Sequence, residues 1–244
     1  MYLTNEKPII RSNLCYYDCE YTRNLGRDVQ QILGKYGFFP PDKIYADSLT
    51  KGKYIKYHDN LIDFMDLAYT KKGILGISMA SGDSRIVSDY WAFDWYFTFY
   101  KNEKLAVNKP KFVPWNVLSL DTTYGRIKND EEHSKYLACI AELIVLIKPF
   151  HARIDDVSNA VALLKKTGES CFTPDHIQQV YWGNYWDLDH YSTLDKESLL
   201  QIPDCCVQEL GNGVFLTLTD CVLDATTSRC NQNRKNVKKC IGLC

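Results

Sequence analysis

The strongest periodicity in the chain runs over residues 90–100. Trp91, Phe93, Trp95, Phe97 and Phe99 alternate with Ala92, Asp94, Tyr96 and Thr98. A period of two marks a strand that turns one face to a core. The spacing predicts a central strand with its odd-numbered aromatics buried. Residues 112–122 are its predicted neighbour, with Pro114 demoting the first half to an edge or an irregular entry. Residues 74–79 read as a further short strand. Helical spacing governs other stretches. Leu25, Val29, Ile32 and Leu33 recur at three and four residues within 24–36. Gly37 and Phe38-Phe39-Pro40-Pro41 cannot continue that helix. Residues 59–69 form a second predicted helix, with Asp59 or Asn60 as its cap.

The longest predicted helix spans 130–148. Its acidic start, Asp130-Glu131-Glu132, complements the positive end of the helix dipole. Tyr136, Leu137, Ile140, Leu143, Ile144 and Ile147 form a broad apolar face, and Pro149 ends it. This helix is expected to pack across the sheet. A short strand over 150–154, a helix over 156–166, a strand over 177–182 and a helical turn over 195–200 follow. Residues 207–210 and 214–219 flank Gly211-Asn212-Gly213, a hairpin signal because these residues tolerate positive φ. The elements do not alternate as β-α-β-α. The pattern predicts an α+β fold, with mainly antiparallel sheet and helices packed on one face. Residues 1–220 read as one domain, divisible into sub-lobes 1–125 and 126–220. Past Cys221 the periodicity fades, and residues 221–244 read as a Cys-containing basic tail with Arg229, Arg234, Lys235, Lys238 and Lys239.

Composition narrows the function classes. Of 244 residues, 45% are hydrophobic and 13% aromatic, which supplies a core and excludes intrinsic disorder. The formal net charge is -1, so no general field draws the chain to nucleic acid or to an anionic membrane. The longest apolar run, 136–147, contains Glu142 and is too short to span a bilayer. Residues 1–11 carry Glu6 and Lys7 without an apolar stretch, so a cytoplasmic location is expected. The ten cysteines are then expected to be reduced. Cys221, Cys230, Cys240 and Cys244 lack the short paired spacing of zinc ribbons, and Cys15-x3-Cys19 is a weak redox pair. No metal or cofactor is expected.

No catalytic set stands out. His58, His133, His151, His176 and His190 form no His-Glu-x-x-His pattern, and His151 reads as a structural or edge residue. There is no Gly-x-Ser-x-Gly elbow and no phosphate loop. Asp155-Asp156 and Asp187-x-Asp189 are the one arrangement that a metal-dependent hydrolase or nuclease would show. Asp156 also starts a helix, where an acidic cap is expected without function. The expectation is a chain that is not an enzyme, with that hydrolase and a non-catalytic scaffold as the alternatives.

The segment Gln178-Gln-Val-Tyr-Trp-Gly-Asn-Tyr-Trp186 points to binding instead. A strand ending at Gly183-Asn184 sets aromatics and an amide at the rim of a sheet. Tyr and Trp carry interface energy, so Tyr181, Trp182, Asn184, Tyr185, Trp186 and Tyr191 are the partner-binding candidates. Tyr185 and Trp186 are the expected anchors, with Asp187 and Asp189 as a polar rim. The competing reading puts Trp186 in the core. Residues 149–155, Tyr181-Trp182-Gly183-Asn184-Tyr185-Trp186, Ile202-Pro203 and the glycine hairpin with its apolar strand Val214-Phe215-Leu216-Thr217-Leu218 follow in an order that resembles bacterial immunity proteins of polymorphic and type VI toxin systems, notably the Immunity protein 52 family. That resemblance implies a cytoplasmic antitoxin without catalytic activity, whose partner is a cognate protein toxin rather than nucleic acid or membrane.

Overall fold

Backbone hydrogen bonding builds one sheet outward from the N-terminal strand. The computed structural model describes residues 9–17, 22–46, 55–57, 62–63, 65–66, 74–81, 91–98, 116–167 and 177–243. Strand β1 (Ile9–Tyr16) pairs antiparallel with both β6 (Asn116–Thr123) and β7 (His151–Asp156). Beyond β6 lie β5 (Trp91–Thr98), β4 (Ile74–Ser81), β2 (Lys43–Ala46) and β3 (Ile55–Lys56). Beyond β7 lie β8 (Gly183–Asp187), β10 (Gly213–Thr217) and β9 (Cys206–Leu210). The result is a single ten-stranded sheet whose neighbours all run antiparallel, and it crosses both of the sub-lobes considered from sequence.

The alternation in β5 is realised in the core. Trp91, Phe93 and Trp95 are buried, and β5 is flanked by β4 and β6. The side chain of Phe97 and all of Phe99 lie outside the described residues. The predicted neighbour is β6 from Asn116 onward, and residues 112–115 also lie outside. Ile62, Asp63, Met65 and Asp66 are helical, within the stretch where the second helix is expected.

Helix α1 (Arg23–Lys35) starts at Thr22, whose hydroxyl accepts from the Leu25 N–H. Helix α2 (Asp130–Ile147) starts at Asn129, which accepts from Glu132 N–H in the same way. Lys148 adopts the left-handed conformation that closes α2 ahead of Pro149. These two helices pack together on one face of the sheet. Ser12 identifies that face, because its hydroxyl lies 3.0 Å from that of Tyr136 on α2. Side chains alternate along a strand, so Arg11 and Asn13 point to the other face. There Val157, Ala160 and Val161 of α3 (Val157–Thr167) lie over them. The α+β class therefore holds, and its helices divide between the two faces.

Two stretches depart from their sequence pattern. Residues 177–182 are not a strand; β8 begins where that strand was expected to end. The Asn184 amide explains it. Its oxygen accepts from Tyr181 N–H and its nitrogen donates to Tyr181 C=O, both at 2.9 Å, as a neighbouring strand would. Gly183 supplies the close approach that starts β8, since a Cβ there would meet Ile154 Cβ at 3.0 Å.

The expected tail is the second departure. Residues 228–240 form a further helix, with Cys230, Asn233, Arg234 and Val237 buried at helical spacing. We number it α5, after the short α4 (Lys196–Leu200). Polar chemistry docks α5. Asn233 Nδ2 donates to Leu218 C=O at 2.6 Å, and Arg234 Nε donates to Val180 C=O at 3.0 Å. Among the described residues, no helix is long and apolar enough to cross a membrane.

The β9–β10 hairpin turns through Gly211, at φ 58°, and Asn212. Gly213 faces a different constraint, because a Cβ there would lie 2.3 Å from the Trp186 carbonyl oxygen and 2.6 Å from the Tyr185 ring. Gly211→Ala is expected to cost about 1–2 kcal/mol through its backbone angle. Gly213→Ala is expected to cost about 2–3 kcal/mol through overpacking. Urea unfolding of both variants checks the ranking, and equal losses would show that Gly213 is not sterically required.

Candidate partner-binding surface

Strand β8 lies between β7 and β10, so both of its edges are hydrogen-bonded, and Gly183, Asn184, Tyr185 and Trp186 are buried. Trp186 sits opposite His151 and Val214, and Tyr185 opposite Ala152 and Phe215. The two expected anchors are only 2% and 0% exposed, Tyr185 and Trp186 respectively. Tyr181, Trp182, Asn184 and Tyr191 are buried as well. Placing exposed anchors on this segment is therefore corrected: an interior strand turns its aromatics into the core. Trp182 shows how completely, donating from Nε1 to Thr219 Oγ1 at 2.7 Å and meeting the His133 ring edge-on at 5.6 Å. Of the expected rim, Asp187 is half-buried and Asp189 is exposed.

The more accessible rings, Tyr17 and His190, lie one step further along, over a buried Phe150. Asp187 caps the turn after β8, its Oδ1 accepting from His190 N–H and its C=O from Tyr191 N–H, each at 2.9 Å. The turn sets His190 over Phe150, with ring centroids 4.8 Å apart. Phe150 N–H donates to Cys15 C=O, which extends the β1–β7 ladder and brings Phe150 beside the end of β1. Tyr17 stacks on Phe150 there at 4.5 Å and lies 5.9 Å from His190. Tyr17 is 38% exposed and His190 is half-buried. Asp187 N–H donates to Phe150 C=O at 3.1 Å, and Asn212 Nδ2 donates to the exposed Asp189 at 3.2 Å. Sequence reasoning missed Tyr17 and Phe150. The available signal was the pair Tyr16-Tyr17 closing an apolar strand, and β1 itself went unread.

The two acidic pairs do not converge. Asp187 lies beside Phe150, and Asp155 is five residues along β7, about 16 Å away at the rise of a strand. Asp156 caps α3, accepting from Asn159 N–H at 2.9 Å and from Tyr124 OH at 3.0 Å. Asp155 is buried and accepts from Asp156 N–H, Asn159 Nδ2 and Trp182 N–H. Burial pushes its carboxyl up to about 6, against the opposing pull of the Asn159 bond and the Arg234 charge. Among the described residues, no three His, Cys, Asp or Glu side chains gather as metal ligands would. Of the C-terminal cysteines, Cys230 is buried, Cys221 half-buried and Cys240 exposed; Cys244 lies outside the described residues.

The floor of the aromatic patch contains His151, buried beside Tyr191 with ring centroids 6.2 Å apart. Burial pushes its imidazole down to about 3, and the charges of Arg153 and His190 push the same way.

A solved structure shares this fold. The chain superposes on a structure titled "Pseudomonas aeruginosa T6SS protein PA0821" with a TM-score of 0.63, over 94% of this chain and 73% of that one. Sequence identity is 13%, so the likeness is one of fold. No family model matches the chain, and no curated protein matches it. The resemblance to the Immunity protein 52 family thus gains no support from a family match.

The native state refuses a proton at His151 that the unfolded chain accepts. Stability is complete above about pH 6.5 and falls as pH drops toward 3. Asp155 works in the opposite sense, adding stability as pH falls through about 6. Comparison with His151→Phe isolates the first effect. From pH 7 to pH 5 the unaltered chain is expected to lose about 2 kcal/mol more than the variant. Parallel stability curves in denaturant titrations would contradict the assignment.

Proposed function

We propose that this chain is an immunity protein that binds a cognate toxin of a type VI secretion system and neutralises it without catalysis, in the cytoplasm. The observation that carries the reading is the aromatic patch of Tyr17, Phe150 and His190. Tyr17 is exposed and His190 half-buried over a buried Phe150, with Asp187 beside them; Tyr17 and Phe150 adjoin the ends of β1 and β7, and His190 is set by the Asp187 turn. Aromatic side chains held rigidly lose little entropy on binding, and they dominate binding energy where they centre an interface. The acidic neighbour adds association rate and selectivity for a basic counterpart. A T6SS protein with the same fold supports the setting. The separation of the two acidic pairs leaves the hydrolase alternative without a shared site.

Tyr17→Ala and His190→Ala test the surface. Each is expected to leave thermal stability nearly unchanged, because neither side chain is fully buried. Each is expected to weaken toxin binding by about 2 kcal/mol, roughly thirtyfold. Asp189→Lys is expected to act mainly on association rate and salt dependence. Binding to the proposed toxin partner, and protection of cells producing it, provide the readout. Full protection by both aromatic variants would remove this patch from the interface.

A further inference from the structure

A second site lies on the sheet face opposite α2. A cavity of about 110 Å³ opens between that face and α3, lined by Arg11, Asn13, Arg153, Asp155 and Tyr181 below and by Val157, Ala160 and Val161 above. Arg153 is half-buried, and its partners are neutral. With the Asn13 amide oriented to satisfy its neighbours, its oxygen accepts from Arg153 Nε at 3.0 Å and Nη2 at 3.1 Å, and its nitrogen donates to Ser119 Oγ at 2.6 Å. Arg153 Nη1 donates to Tyr181 OH at 3.0 Å, and the guanidinium lies 5.2 Å from the centre of the Tyr181 ring. Among the described residues, no carboxylate pairs with Arg153.

The neighbouring carboxylates are engaged elsewhere. Asp121 takes a bidentate pair from Arg11 at 2.8 and 2.6 Å. Both oxygens of Asp155 accept from Asp156 N–H, Asn159 Nδ2 and Trp182 N–H. Asp94 is on the same row of the sheet, but β6 and β1 intervene, which puts it about 14 Å from Arg153. A guanidinium has five N–H donors, of which Arg153 uses three. The two that remain are one on each terminal nitrogen, and an oxyanion that reached both would be held bidentately. Tyr181 accepts from Arg153, so its own hydroxyl proton is a third donor at the same cavity. A half-buried cation with no carboxylate partner among the described residues thus keeps two donors beside a space large enough for several waters.

We infer that this cavity is a binding site for one small oxyanion, of carboxylate or phosphate geometry, held by Arg153 and Tyr181. The site stands apart from the aromatic patch, and neither depends on the other. Calorimetric titration of the full chain with acetate and with inorganic phosphate, at constant ionic strength in chloride, tests it and shows which geometry is preferred. One equivalent is expected to bind. Arg153→Met and Tyr181→Phe are expected to weaken that binding, the first by at least tenfold. Val161→Trp, on a residue 44% exposed at the cavity mouth, is expected to block entry without loss of folding. It decides the matter if Arg153→Met does not fold. Saturable binding abolished by Val161→Trp establishes the site. Absence of binding by both anions, or affinity unchanged in Val161→Trp, overturns it.

Discussion

Everything in this molecule rests on the register of β1. It is hydrogen-bonded on both edges, to β6 and to β7, each of which begins a hundred or more residues further along the chain. A slip of one residue would exchange its two faces. Ser12 would leave the Tyr136 hydroxyl, and Arg11 would be driven under α2. Apolar contacts alone discriminate weakly between such registers when both faces are covered. Polar pairs do better, because a mismatched buried donor or ion costs more than a misplaced methyl group. Arg11 with Asp121, Asn13 with Ser119 and Arg153, and Ser12 with Tyr136 together allow one alignment.

The surface chemistry follows from that register. Fixing β1 against β7 sets Tyr17 beside Phe150, and fixing β7 against β8 sets Asp187 beside Phe150. The Asp187 turn then lays His190 across the same ring. Beneath this patch, Trp186, His151 and Tyr191 fill the core and give it a rigid base. At the far end of β8, Asn184, Asp155 and Arg234 satisfy the irregular backbone of residues 177–182. Among the described residues no strand pairs with Val180 or Tyr181, and side chains take the neighbour's role. The buried polar groups of α5 belong to the same system, which is why a helix so rich in charge still packs.

Elements with one apolar face were legible in the sequence. β5, α1, α2 and the glycine hairpin all announce themselves by period or by turn chemistry, and all are found. β1 was not legible, because Arg11-Ser12-Asn13 interrupts its apolar run; its second face is covered yet polar, a pattern that simple alternation does not recognise. α5 was missed for a related reason, since its buried stripe is Cys230, Asn233, Arg234 and Val237 rather than a row of aliphatics. The segment 181–186 was correctly singled out as unusual. Its aromatics are dense because β8 is an interior strand, and composition does not distinguish that demand from the demand of an interface. Asp187 does lie beside the patch, whereas Tyr17 and Phe150 come together only through the sheet.

Hydrogen exchange of the full chain, with and without the proposed toxin partner, tests the central claim most directly. Binding through the aromatic patch predicts slowed exchange at Tyr17, at Lys148 and Phe150, and across residues 188–192, with the β9 edge of the sheet unchanged. Protection confined to β9 and the exposed side of α2, with residues 188–192 unaffected, would contradict the account.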